Sequence, residues 1–295
     1  MENLRGVGVA LVTPFLENGE IDYPAFAQLI EHDIDGNVDF LVVQGTTGES
    51  ATLSSANKQE LLSFAVKQIN GRVPVVYGHG GNNTVALIEG YKSLDLTGVS
   101  AILSVSPYYN KPSQDGIVAH FTALNDAFDL PIILYNVPGR TGSNMLAATT
   151  LKLAKLSNVL GVKEASGDLG QMSQIIKNRP KGFMVWSGDD DLILHQMGLG
   201  ADGVISVIGN ALPVEFCDLV HSAAKGDFEA ARKRHYQLCD IIPLLFEEGN
   251  PGGIKAVLKM LGIGEEHMLM PLLPISENLR SRLSSALASA TIKVK

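Results

Sequence analysis

Cysteine is scarce in this chain. Only Cys217 and Cys239 occur among 295 residues, and neither sits in a CxxC or other ligand spacing. Two such residues do not make a disulfide framework, so a reducing, cytoplasmic setting is the expectation. Long apolar runs are also missing. No segment approaches the roughly 18 residues of a membrane span, and the first residues, Met1 to Gly6, lack the charged-then-apolar layout of a secretion signal. The chain therefore reads as soluble, with no membrane partner. Positive charge is not in excess. With 23 Lys and Arg against 31 Asp and Glu, the formal charge is −8, which argues against nucleic acid as a partner but leaves room for a small anion held by a few local cations. The seven histidines show no His-x-His or His-Glu-x-x-His spacing, so no metal is expected. Gly78-His79-Gly80-Gly81 is not a dinucleotide fingerprint, and there is no Gly-x-Ser-x-Gly elbow.

What is present is alternation. Eight short runs rich in Val, Ile and aromatics, Gly6–Val12, Phe40–Gln44, Val73–Tyr77, Ala101–Val105, Ile132–Asn136, Leu160–Lys163, Phe183–Trp186 and Gly203–Val207, are too short for typical helices. Most are continuously apolar, as strands covered on both faces are. Helix-length amphipathic stretches lie between them. One opens at Tyr23-Pro24 and another after Thr52-Leu53-Ser54; later starts are expected near Ser113, Ser143, Asp168, Asp191 and Pro213. Eight strand–helix units in series predict an α/β (β/α)8 TIM barrel over residues 1–225, with an open doubly wound sheet as the runner-up. Beyond residue 225 the strand pattern stops. Phe228, Ala231, His235, Leu238, Ile242 and Leu245 keep a three-four spacing, Gly249 to Gly253 breaks the chain, and Ile254–Leu261 and Leu279–Leu287 read as helices. Residues 226–295 are thus predicted to form a C-terminal helical domain.

A barrel enzyme works at the C-terminal ends of its strands, so unusual residues there are the candidates. Lys163 closes an apolar run. It is either a salt-bridged cation, with Glu164 or Asp189 as partner, or an amine nucleophile whose burial frees its lone pair for attack on a carbonyl. Tyr135 closes another strand as a proton carrier or as a cap on the core. Arg140, on a Pro/Gly loop, suits a carboxylate or simply water. Gly45-Thr46-Thr47-Gly48-Glu49 is either an anion cradle or an ordinary turn. Tyr108-Tyr109 between prolines suits packing or an interface. Asp189-Asp190-Asp191 is read as a helix start rather than a metal site.

Taken together, Gly45-Thr-Thr-Gly-Glu-Ser50, Tyr108-Tyr109-Asn-Lys-Pro112, Tyr135-Asn-Val-Pro-Gly-Arg-Thr-Gly142 and Gly161-Val-Lys-Glu-Ala-Ser166, in this order, give a chain that closely resembles the dihydrodipicolinate synthase (4-hydroxy-tetrahydrodipicolinate synthase) family of pyruvate-dependent class I aldolases. The likeness runs over essentially the whole chain. It implies condensation of pyruvate with L-aspartate 4-semialdehyde on the diaminopimelate route to lysine, through a covalent lysine imine and with no metal or organic cofactor. It further implies Lys163 as the imine-forming residue, Tyr135 as proton donor and acceptor, and Thr46 and Tyr109 as the rest of the relay, Tyr109 reaching in from a neighbouring subunit. Thr47 and the backbone at Ile205 would hold pyruvate, and Arg140 the semialdehyde carboxylate. A homotetramer, a dimer of dimers, goes with this. So does an interface site for inhibitory lysine, matching Ser50, Ala51, Ser55, Lys58, Asn82, Ala86 and Tyr108. Lys58 and Ala86 stand where strongly inhibited members carry a histidine and a glutamate, so weak or absent inhibition by lysine is expected. The competing identity is a relative such as N-acetylneuraminate lyase or a keto-deoxy sugar acid aldolase. A keto-acid sensor is the non-catalytic alternative, disfavoured because the whole relay is present.

Overall fold

The computed structural model describes residues 4–292. Eight parallel strands close on themselves in chain order: β1 (Gly6–Ala10), β2 (Phe40–Val43), β3 (Val75–Gly78), β4 (Val99–Val105), β5 (Ile132–Asn136), β6 (Val159–Glu164), β7 (Met184–Ser187) and β8 (Gly203–Ser206), with β8 pairing back to β1. The open-sheet alternative is thereby eliminated. All eight predicted strands are present, their ends within two residues of expectation.

Period-two alternation splits the strand residues into two cores. Phe40, Val42, Val76, Ala101, Leu103, Ile133, Met184, Trp186 and Ile205 fill the barrel interior. Their neighbours, such as Val9, Leu41, Val75, Ile102, Leu134, Val162 and Val185, face the helices. Parallel strands buried on both faces have no polar side to show, which is why they read as unbroken apolar runs. Trp186 lies edge-on to Phe40 with ring centres 6.4 Å apart. Gly161 makes room for it, since a β-carbon there would fall 2.6 Å from the indole and 2.2 Å from the Met184 carbonyl.

The surrounding helices are α1 (Tyr23–Asp35), α2 (Ser55–Ile69), α3 (Thr84–Lys92), α4 (Gln114–Ala127), the single turn α5 (Pro138–Thr141), α6 (Ala147–Leu153), α7 (Leu169–Asn178), α8 (Ile193–Leu199) and α9 (Pro213–Ala224). Local chemistry starts many of them. Asp22, Ser54, Asn83, Ser113 and Asp168 each accept a hydrogen bond from the backbone N–H three residues on. The expected start near Asp191 lies within two residues of α8, but two expected caps need correction. Ser143 caps nothing: Gly142, at φ 73°, ends α5, and the next helix begins at Ala147 after its preceding strand of chain is tied to the Gln114 side chain. The Asp189–Asp191 run does not cap α8 either, because the cap position is Leu192 and no side chain bonds there.

After α9 the chain turns at Lys225–Gly226 into α10 (Phe228–Leu238), which packs on α8 and α9. The three-four spacing from Phe228 to Leu245 is not one helix; it stops at Leu238, and Pro243 begins a separate short turn. Then come α11 (Gly252–Met260) and α12 (Glu277–Ser289). Gly252 and Gly253 form the first turn of α11 rather than a break, and a β-carbon on Gly253 would meet the Leu245 backbone at 2.5 Å. Among the described residues no helix is long and apolar enough to cross a membrane.

Candidate active site

The register of β5 and β6 sets Tyr135 directly beside Lys163 and Asn136 beside Glu164. Because side chains alternate, the first pair faces the barrel interior and the second faces the helices. Lys163 is 5% exposed, and its ammonium lies 4.5 Å from the centre of the Tyr135 ring. Among the described residues it forms no salt bridge, so neither Glu164 nor Asp189 is its ion-pair partner. Gly188 leaves it space: a β-carbon there would sit 3.0 Å from Lys163 Cε.

Glu164 is committed elsewhere. Its buried carboxylate accepts from Asn136 Nδ2 at 3.0 Å, the Ser166 N–H at 2.9 Å and Gln171 Nε2 at 3.1 Å. Burial raises its pKa, and these donors oppose the rise. Asn136 also bonds Asn144 and the Met145 N–H. This network clamps the outer faces of β5 and β6 directly behind Tyr135 and Lys163. Satisfied buried networks hold one geometry.

Lys163, Tyr135, Thr46, Thr47 and Arg140 line a single cleft of about 530 Å³ at the C-terminal end of the barrel, with Gly188, Asp189, Val207, Phe246 and Asn250 completing it. Thr46 is exposed and Thr47 buried; Thr47 Oγ1 accepts from Asn250 Nδ2 at 2.9 Å. Arg140 is exposed on α5, with its guanidinium free of protein partners among the described residues. Ile205 does not line the cleft by side chain. It is fully buried in β8, and Val207 forms the wall there.

Tyr109 stands apart. It is 88% exposed, holds a left-handed backbone (φ 72°) and is absent from the cleft wall of its own chain. Tyr108 instead lines an adjoining cavity of about 490 Å³ with Ser50, Ala51 and Lys58, which also reaches Thr46 and Arg140. Asn82 donates to the Tyr108 carbonyl at 3.1 Å, while Ser55 and Ala86 are exposed on α2 and α3 outside that wall. Lys58 is half-buried, and the loss of water lowers its pKa.

The three aspartates have separate fates. Asp190 is buried and accepts from the backbone N–H groups of Val207 and Ile208, fixing the loop after β8. Asp189 faces the cleft with one buried oxygen unbonded. Burial pushes its pKa up to about 6, with Asp191 adding to the rise and the Lys163 ammonium opposing it. Asp191 is exposed. Asp189, read in the sequence only as an ion partner for Lys163 or as part of a helix start, and Asn250, not singled out at all, are polar residues of the cleft. The first was hidden in an acidic run that looks like a helix start, the second in a Gly/Pro-rich stretch that looks like a break. Among the described residues no cluster of three His, Cys, Asp or Glu is placed to hold a metal.

Fold and cleft together define a (β/α)8-barrel enzyme with an amine and a phenol side by side at the mouth. The chain belongs to the dihydrodipicolinate synthetase family, whose model matches residues 3–290. It is 48% identical over 292 residues to the 4-hydroxy-tetrahydrodipicolinate synthase of Parabacteroides distasonis, covering 99% of this chain and 98% of that one. It is 47% identical over 284 residues to the enzyme of the same name from Flavobacterium psychrophilum, covering 96% and 97%. The crystal structure of dihydrodipicolinate synthase from Aquifex aeolicus superposes with a TM-score of 0.95 at 40% identity, over 99% of this chain and all of that one.

Proposed function

We propose that this chain condenses pyruvate with L-aspartate 4-semialdehyde to give 4-hydroxy-tetrahydrodipicolinate, in the diaminopimelate branch of lysine biosynthesis. The observation that carries the reading is the buried Lys163 amine, without an ion partner among the described residues, set in register beside Tyr135. An ammonium that the fold takes out of water without an ion partner costs stability, so a chemical use for the free amine accounts for its place.

The neutral amine adds to the keto carbon of pyruvate. The resulting carbinolamine loses water to leave an iminium, and the Tyr135 phenol passes the protons this requires. Thr46, exposed in the same cleft, continues the relay, and Thr47 with the β8 backbone at Ile205 holds the pyruvate carboxylate. The iminium withdraws electrons, the methyl carbon gives up a proton, and the enamine attacks the aldehyde carbon of the second substrate. That substrate's own amine then adds to the imine carbon, closing the ring and freeing Lys163. Arg140, with an unengaged guanidinium at the rim, receives the semialdehyde carboxylate as a two-pronged donor.

Tyr109 completes the relay from a second copy of the chain, which accounts for an aromatic residue held exposed on a left-handed backbone. That sharing requires at least a dimer, and a tetramer built from such dimers is the assembly proposed. Residues 226–292, the described part of the expected 226–295 unit, are then a helical domain that supplies Phe246 and Asn250 to the barrel mouth.

The test is borohydride reduction in the presence of pyruvate. Mass spectrometry should find the pyruvate-derived adduct on Lys163, and none in Lys163→Ala. A wild-type protein that gives no adduct sinks the mechanism. Faster turnover with N-acetylmannosamine than with the semialdehyde sinks the choice of second substrate.

A further inference from the structure

The two threonines of the cleft sit on a loop that the C-terminal helices hold by a fully buried ion pair. Glu49 ends the loop in a left-handed conformation (φ 55°) that residues with a β-carbon adopt rarely. Its side chain has no solvent exposure, and that of Lys255 on α11 has 1%. Lys255 Nζ donates to Glu49 Oε1 and, at 2.8 Å, to the carbonyl of His267, and it lies 4.4 Å from the centre of the Phe15 ring. The other Glu49 oxygen accepts from the Leu269 N–H at 3.0 Å. Between Glu49 and β2, Thr47 is held by Asn250 and the Gly48 carbonyl by Thr13 Oγ1 at 2.7 Å. Of these anchors only Thr13 comes from the barrel; the rest lie in residues 250–269.

Buried ion pairs contribute little net stability, because desolvation offsets most of their attraction; what they supply is direction. Here the direction is imposed two residues from Thr47 and three from Thr46. A displacement of about 1 Å in a reacting group can cost about 100-fold in rate.

We propose that Glu49 and Lys255 are positioning residues for Thr46 and Thr47, so that the C-terminal helices set the geometry of pyruvate binding although the chemistry belongs to the barrel. The proposal rests on the roles assigned above to the two threonines. Burial lowers the pKa of Lys255 to about 8, opposed by Glu49, in keeping with a cation that depends on its partner to stay charged.

The test uses the full-length protein as Glu49→Gln, Lys255→Met, the double variant, and Lys255→Arg, which keeps the charge. Each is assayed at a temperature where its circular dichroism matches that of the wild type. Single neutralisation strands a buried partner and should lower Tm. The double variant should recover Tm, yet keep a pyruvate KM about 10-fold or more above wild type and a slowed borohydride trapping of pyruvate on Lys163. Lys255→Arg should restore pyruvate KM further than Lys255→Met does. A folded double variant, or a folded Glu49→Gln protein, with wild-type pyruvate KM and trapping rate would show the pair to be structural only and overturn the proposal. Failure of the wild type itself to trap pyruvate would instead overturn the functional reading beneath it.

Discussion

The two ends of the barrel differ in how the groups that face the interior are partnered. At the floor two carboxylates are answered on several sides, although Asp33 near them is buried with neither oxygen bonded among the described residues. The Asp202 carboxylate receives Arg5, Arg179 and the Val185 N–H, the last at 2.9 Å. Asp39 takes His221 Nε2 at 2.7 Å and the Val7 N–H at 2.7 Å. Even the Trp186 indole reaches the Leu4 carbonyl at 2.6 Å. At the mouth, Lys163 and Arg140 have no carboxylate partner among the described residues, one oxygen of Asp189 is orphaned, and the buried Gln44 amide, at φ 64°, bonds nothing. A saturated group stabilises and is inert. An unsaturated one costs stability and is available to a ligand. The same fold thus separates its structural end from its reactive end.

Substitutions at the two ends should break activity and stability independently. The largest effect belongs to the mouth. Lys163→Ala should lower kcat by about 10⁴-fold or more while leaving Tm unchanged or higher, since a buried amine without a partner is removed. Steady-state assays beside a thermal melt check this, and a Lys163→Ala protein that melts well below wild type would blur the contrast. Next is the floor. Asp202→Ala should cost about 3 kcal/mol of unfolding free energy by denaturant titration, with kcat within about two-fold of wild type at 25 °C. Back at the rim, Arg140→Ala should reduce kcat/KM for the semialdehyde by roughly 10- to 100-fold, with pyruvate KM unchanged, as expected for the loss of a charge-assisted contact to one substrate only.

A smaller effect sits in the wall between the ends. His120, buried behind β4 with its Nδ1 at 2.8 Å from Thr84 Oγ1, has its pKa pushed down to about 4 by burial. The unfolded chain, with an ordinary value near 6.5, binds a proton that the folded chain refuses. Stability is therefore full above about pH 6.5 and lost as pH falls toward 4, at up to about 1.4 kcal/mol per pH unit. Tm measured across that range should flatten in His120→Gln. The smallest expected change is none: micromolar lysine should leave turnover unaltered, because Lys58 puts a half-buried cation in the cavity beside Tyr108 and Ala86 offers no carboxylate. Inhibition at micromolar lysine in a steady-state assay contradicts this.

What was legible in the sequence was whatever is decided within a few residues. Strand runs are apolar because both their faces are covered, and helix starts show because Ser54, Ser113 and Asp168 bond their own next turn. Local reading failed where a side chain serves a distant backbone. Asp190 resembles a helix start but holds the amides of Val207 and Ile208; Ser143 resembles a cap but lies where Gln114 keeps the chain extended. Lys163 and Glu164 are adjacent charges at the end of one strand, with nothing local to say which is reactive.

By itself, then, the sequence determined eight buried strands, their alternation with helices, and the residue types at the strand ends, because backbone preference and hydrophobic period are properties of short segments. Only the tertiary structure decided which of those ends share a cleft. Barrel closure and the β5–β6 register turn Lys163 inward beside Tyr135 and Glu164 outward into a clamp, and a buried pair more than two hundred residues apart in sequence, Glu49 with Lys255, fixes the threonine loop. Those are contacts between segments, and their geometry exists only once the sheet has closed and the last helices have packed against it.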